Sequence, residues 1–174
     1  MDRIVFNEEI HELVFQDLIP SAKRFVWIAT ADIKDLHYHR TARMFETFLA
    51  LLEDLVEAVF EIRLIHAKEP GPRFRKDFDR FPNLIGSDRF ERVLCPRNHM
   101  KCVIVDGQRA FLGSANLTGA GMGAKSATRR NFECGMAVES PDHVSPLMDL
   151  FDAIFIGEHC IKCDRRAICP DPIV

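Results

Sequence analysis

A chain of 174 residues with 47% apolar and 28% charged side chains has room for one domain with a sizeable core, and its balance is that of a soluble globular protein. Its net charge of −3 excludes a uniformly basic coat for nucleic acid, and no apolar run approaches the roughly 20 residues that span a bilayer. The opening Met1-Asp2-Arg3-Ile4-Val5 has neither the charged-then-apolar region nor the small-residue site of a secretory signal. A cytoplasmic location is therefore expected, and the six cysteines read as buried thiols or metal ligands, not disulfides.

Charge is unevenly spread. Residues 1–62 hold six Lys/Arg against twelve Asp/Glu, whereas residues 71–101 hold eight Lys/Arg against four acids. That second stretch is compatible with a polyanionic substrate, and equally with a solvated loop.

In chain order, residues 6–18 place Phe6, Ile10, Leu13, Val14 and Leu18 at helical spacing, and Pro20 closes the segment. Residues 24–30 form a short apolar run rich in strand formers and predict a buried strand. Between about 41 and 60, Met44, Phe45, Phe48, Leu51, Leu52, Leu55 and Val59 recur at three and four residues, predicting one long helix. A second strand follows at 62–66, which makes a strand–helix–strand unit with a parallel pair. Residues 69–90, with Pro70, Pro72, Pro82, Gly71 and Gly86, predict a loop with at most a short helix. Within it Phe74, Phe78 and Phe81 either face the core or stack on bases, and their spacing favours the core. Strands are expected at 93–94, 99–105, 110–114 and 132–138, then a helix at 144–156 that Gly157 stops. The fold class is α/β: a mixed, partly parallel sheet flanked by helices, over a domain of residues 1–157, with a cysteine-rich tail at 158–174.

The chemistry concentrates between residues 99 and 116. His99, Lys101, Asp106, Gly113, Ser114 and Asn116 form the pattern H-x-K-x4-D-x6-G-S-x-N. Residues two apart on a strand share a face, so His99 and Lys101 point the same way. Asp106-Gly107 is a hairpin signal, and a two-residue loop at 106–107 or 107–108 puts Ser114 and Asn116 on that face too. Only an odd-length loop breaks the alignment. One imidazole beside an ammonium, a hydroxyl and an amide suits a phosphoryl group, with the imidazole as nucleophile and the donors holding the oxygens. Asp106 sits at the strand end, where bracing the turn fits better than chemistry. Glu133, in Asn131-Phe132-Glu133, is placed to accept the second ring N–H of His99 and orient it.

These residues resemble the HKD motif of the phospholipase D superfamily, over roughly residues 4–157, including Asn131-x-Glu133 after the motif. The resemblance implies a phosphodiesterase with His99, Lys101, Ser114, Asn116, Asp106 and Glu133 as its site residues, a phosphohistidine intermediate and no catalytic metal. The chain has a single copy of the motif, as in the Nuc-type and Zucchini-type members of that superfamily. It therefore implies a homodimer in which each subunit supplies one histidine. Single-motif members are mostly nucleases, so nucleic acid is the expected substrate, and the basic residues around 73–97 and 125–130 agree with it. A lipid phosphodiesterase or phosphatidyltransferase is the alternative; it calls for an exposed apolar rim or amphipathic membrane helix, neither of which stands out, so a membrane partner is not expected. A non-catalytic nucleic-acid-binding module is the third option.

In the tail, His159, Cys160, Cys163 and Cys169 read as a structural zinc site, with Cys134 or Cys95 as a further possible ligand. The Cys-x2-Cys-x5-Cys-Pro spacing also resembles the C-terminal part of iron–sulfur clamps in AddB- and Cas4-like nucleases, which makes an iron–sulfur cluster the alternative. Reduced cysteines without metal are the plain reading.

Overall fold

The computed structural model describes residues 1–34, 36–41, 44–58, 60–69 and 71–173. At its centre lies β2 (Phe25–Thr30), where Val26, Ile28 and Ala29 are buried. It pairs in parallel with β5 (Glu61–His66), which pairs in parallel with β6 (Phe90–Leu94). On its other side β2 pairs antiparallel with β7 (Cys102–Val105), followed by β8 (Arg109–Gly113), β9 (Cys134–Val138) and β1 (Arg3–Phe6). The seven strands thus run in the order β1-β9-β8-β7-β2-β5-β6, the mixed sheet expected.

Helices cover both faces. On one lie α1 (Glu8–His11), which continues through a π-helical stretch (Glu12–Leu18) and a closing 3-10 turn (Ile19–Ser21), and α2 (Phe48–Glu57). Ile10, Leu18, Phe48 and Leu52 meet Val26, Ile28, Val103 and Phe111 of the sheet there. On the other face α5 (Pro141–Phe155) packs Val144, Phe151 and Phe155 against Ile65, Cys102, Ile104 and Ala110. Trp27 stacks on Phe151 at 5.0 Å. The Arg63 guanidinium lies 4.9 Å from the Trp27 ring centre and 2.8 Å from Asp152, tying β5 to α5. At the end of α5, Gly157 takes φ +77, the left-handed conformation that stops a helix.

The long helix expected from about residue 41 begins seven residues later. Met44 to Thr47 form a strand, β4 (Met44–Thr47), paired with β3 (His37–Thr41), and the Thr47 hydroxyl accepts the Ala50 N–H to cap α2. Met44 and Phe45 fit the helical spacing but are exposed; Val59 lies outside the described residues, as does Pro70 of the expected loop. The stretch from 69 to 90 holds two short helices, α3 (Pro72–Phe78) and α4 (Pro82–Ile85). Phe74 is buried there and Phe78 and Phe81 pack against the core, so the core placement of these rings holds. Among the described residues no helix is long and apolar enough to cross a membrane.

Candidate active site

Three features of the sequence bring the motif to one end of the sheet, at the carboxyl ends of the parallel strands. This is the crevice where β2 has β5 on one side and the later β7 on the other, a place where open α/β sheets bind ligands.

The first is Asn98, buried immediately before the motif. Its Nδ2 donates to the Thr30 carbonyl at the end of β2 (3.0 Å), and its Oδ1 accepts the Met100 N–H at 3.1 Å. The chain at 98–101 is therefore held by a side chain, and β7 starts only at Cys102 instead of at 99. His99 is left exposed at the mouth of an open pocket. Lys101 Nζ reaches back to it, 3.0 Å from Nδ1, 3.2 Å from Nε2 and 2.9 Å from the His99 carbonyl. Burial holds the Lys101 ammonium below its ordinary value, and the negative charge of Glu133 partly offsets this.

The second is Asn116. Its Oδ1 accepts the backbone N–H groups of Ala31 and Asp32 at 3.2 and 3.1 Å, with the Thr30 hydroxyl at 3.4 Å. Donors crowding the oxygen fix which end of the amide is which, and Nδ2 is left as the donor for a ligand. Thr30 completes this clamp by accepting the Leu117 N–H at 3.0 Å and donating to the Asp32 carbonyl at 2.7 Å.

The third is a close approach of two glycines. Gly113 pairs with Gly135, and a Cβ on Gly113 would stand 2.7 Å from the Cys134 carbonyl oxygen and 2.9 Å from the Phe111 ring. Only a bare backbone lets the Ser114 N–H reach the Cys134 carbonyl at 2.9 Å.

His99, Lys101, Ser114 and Asn116 thus line a single pocket, together with Ile4, Phe6 and Leu112. They do not reach it by the expected register. Val105 pairs with Arg109, so the loop has the odd length of three residues, Asp106 to Gln108. Asp106 and Gly107 turn with φ 54 and 68, the Gln108 N–H closes on the Val105 carbonyl at 3.0 Å, and Gln108 is the extra residue. By pleat alternation Lys101 stands opposite Gly113, and Ser114 would face away. Convergence arises because the chain leaves both strands at this point.

Asp106 braces, as its place at the strand end suggested, and is no part of the pocket that the resemblance assigned it to; the role expected of Glu133 is corrected. Asp106 lies at the far end of β7 from Lys101, and its carboxylate accepts the N–H groups of Lys23, Arg24 and Phe25 at 2.8, 2.8 and 3.0 Å. It braces the entry to β2 and takes no place in the pocket. Glu133 does not orient His99: its carboxylate accepts from the Ser114 hydroxyl and, at 3.1 Å, from Asn131 Nδ2. It positions the serine instead. The apolar rim that the sequence did not show is present, with Ile4, Phe6 and Leu112 lining the pocket and exposed.

Sequence reading missed Asn98 and Thr30, whose partners lie 68 and 87 residues away. It also missed a second hollow beside His99 that Arg97 and Arg165 line. Among the proposed metal ligands, His159 sits in a separate surface hollow with Lys162, and Cys134 lines the His99 pocket. Among the described residues no group of three or more His, Cys, Asp or Glu side chains stands arranged to hold a metal ion.

Fold and site together define an α/β domain that gathers an HKD pattern at the carboxyl ends of its parallel strands. The sequence profile described as "Cardiolipin synthase, PLD-like domain" matches residues 15–155, and the chain belongs to this family of the phospholipase D superfamily. No protein of curated function matches it. Among solved structures it is similar to NucT from Helicobacter pylori (TM-score 0.63, 14% identity, 87% of this chain and 93% of that one). It is also similar to Nuc from Salmonella typhimurium, a phospholipase D family member (TM-score 0.62, 12% identity, 87% and 91%). A third likeness is to phosphatidylserine synthase from Haemophilus influenzae (TM-score 0.59, 15% identity, 91% and 39%). At these identities the likeness is one of fold.

Proposed function

We propose that the chain is a phosphodiesterase that cleaves nucleic acid in a homodimer, each subunit supplying one histidine. The observation that carries this is the single imidazole of His99 in an open pocket with Lys101 Nζ and Asn116 beside it. A ring nitrogen of His99 attacks phosphorus and the bond to the leaving oxygen breaks, while that oxygen takes a proton from the imidazolium of His99 of the partner subunit. Water then attacks the phosphohistidine, the partner's His99 accepts the water proton, and the P–N bond breaks. Lys101 and Asn116 Nδ2 hold the non-bridging oxygens through both steps, with Ser114 beside them. Metal enters neither step.

Supporting a polyanionic substrate, Arg97 and Arg165 line the hollow next to His99 and extend positive charge away from the reacting phosphate. A second reading, action on a lipid phosphodiester, rests on the apolar rim of Ile4, Phe6 and Leu112. The homodimer assigns that rim to the partner copy, which must approach this pocket to complete it.

The test is cleavage of single- and double-stranded DNA and RNA, and of phospholipid vesicles, in EDTA, with the native chain and His99→Ala. Nucleic-acid cleavage that the variant loses is expected. Activity that survives in His99→Ala refutes the nucleophile, lipid-only cleavage promotes the second reading, and a strictly monomeric active protein refutes the shared site.

A further inference from the structure

The tail folds back on the β6 edge of the sheet through contacts that the phosphodiesterase reading does not use. Asp171 accepts the Leu94 N–H at 3.0 Å, and the Cys169 thiol lies 3.9 Å from the Leu94 carbonyl oxygen. Arg165 donates to the Pro96 carbonyl at 2.8 Å, and Ile173 packs on Gly157, where a Cβ would stand 2.5 Å from it. Leu94 and Pro96 flank Cys95, so these contacts bring the tail cysteines to the residue between them. Cys95, Cys160, Cys163 and Cys169, four of the six cysteines, line one small cavity at this junction.

We propose that Cys95, Cys160, Cys163 and Cys169 bind one zinc ion, which staples the tail to the sheet. The separation of the pair fits this: two residues lie between Cys160 and Cys163, with the Cys163 N–H on the Cys160 carbonyl at 3.2 Å, a tight turn that presents two thiolates to one ion. The cavity, about 30 Å³, has room for a single ion between these cysteines. Its walls include Val93, Leu94, Ile154 and Ile173, so no carboxylate or imidazole competes except Asp171, already bonded to Leu94. The four thiols share the cavity without converging on one point, so zinc binding turns their side chains inward around space that is already there. His159 and Cys134 are excluded from the ligand set because each lines a different hollow. The staple fixes Arg97 and Arg165, which flank both the cysteine cavity and the hollow beside His99.

The full-length protein, purified under reducing conditions without chelator, is analysed for metal by plasma mass spectrometry. About one zinc per chain is expected. Cys95→Ser and Cys163→Ser lose it; His159→Ala and Cys134→Ser keep it. Since a cysteine variant can misfold, the native protein stripped of metal is also titrated with Co²⁺, and the strong visible bands of a tetrahedral thiolate complex are expected. Trypsin cleavage after Lys162, Arg165 and Arg166 is expected to slow when zinc is restored. Absence of bound metal, an iron–sulfur chromophore, disulfides among these cysteines, or zinc retained in Cys95→Ser would each overturn the proposal. These readouts do not depend on phosphodiesterase activity, so either reading can fail alone.

Discussion

Asp106→Ala separates the two roles an acidic residue in this motif can have. The carboxylate takes three backbone N–H groups at 2.8, 2.8 and 3.0 Å, is buried, and sits at φ 54. Each bond to a charged acceptor contributes about 1.5 kcal/mol net or more, but Lys23 and Arg24 are exposed enough for water to recover part of the loss. Alanine in the left-handed region adds about 1 kcal/mol of strain. Together these put the cost near ~3–4 kcal/mol, which lowers the thermal midpoint by about 10 °C in a domain of this size. At a urea slope of about 2 kcal/mol per molar, the denaturation midpoint falls by ~1.5–2 M. Asp106→Asn tolerates the backbone conformation and keeps one acceptor, so it loses about half as much. Urea unfolding followed by circular dichroism measures both, and phosphodiesterase turnover is measured where each variant is still folded. Bracing predicts large destabilisation with turnover per folded molecule unchanged within about twofold. A stable but inactive Asp106→Ala would refute the reasoning and return Asp106 to the chemistry.

Asn116→Asp keeps an acceptor for the Ala31 and Asp32 N–H groups but replaces the Nδ2 donor with a negative oxygen, so folding stays intact while turnover falls at least about 100-fold in a steady-state assay. Gly113→Ala forces its Cβ against the Cys134 carbonyl and the Phe111 ring, costing about 1–3 kcal/mol by urea unfolding and moving Ser114 out of place. Burial holds the His11 and His66 imidazoles below their ordinary 6.5, with His39 adding repulsion at His11. Below about pH 6.5 the unfolded chain takes up protons that the folded one refuses. This stabilisation is therefore full above that pH and is lost as pH falls toward the lowered folded values. The thermal midpoint accordingly drops between about pH 7 and 5, and the His11→Phe/His66→Phe variant flattens that slope, measured by scanning calorimetry.

What the sequence made legible is what local patterns encode. The apolar run of β2, the β2–α2–β5 unit and the glycine stop after α5 follow from periodicity and turn chemistry. The start of α2 did not follow, because Met44 and Phe45 continue a helical spacing while their backbone pairs with β3. Likewise the motif's residue types and offsets pointed to His99, Lys101, Ser114 and Asn116, which the fold gathers into one pocket. Its supports did not show, because Asn98 and Thr30 act on carbonyls and N–H groups brought near only by the fold. Cys95 is separated from Cys160 by the β7–β8 hairpin, β9 and α5, so only the returning tail shows that it, and not His159, shares the cavity.

The three-residue turn at Asp106 bears on how such a site tolerates variation. Strand parity governs paired residues, and by parity Ser114 belongs on the face opposite Lys101. The four groups still converge because none is set by strand pairing alone. His99 follows from the Asn98 clamp, Asn116 from the N–H groups after β2, and Ser114 from Glu133 and the Gly113–Gly135 contact. The hairpin supplies only Lys101 and its distance from the others. A one-residue slip that would invert an ordinary strand is therefore absorbed at the strand ends. Clamps of this kind fix one side of the pocket and leave the other open, at the rim formed by Ile4, Phe6 and Leu112. In the proposed homodimer, that exposed rim is where a two-fold copy would bring the second imidazole.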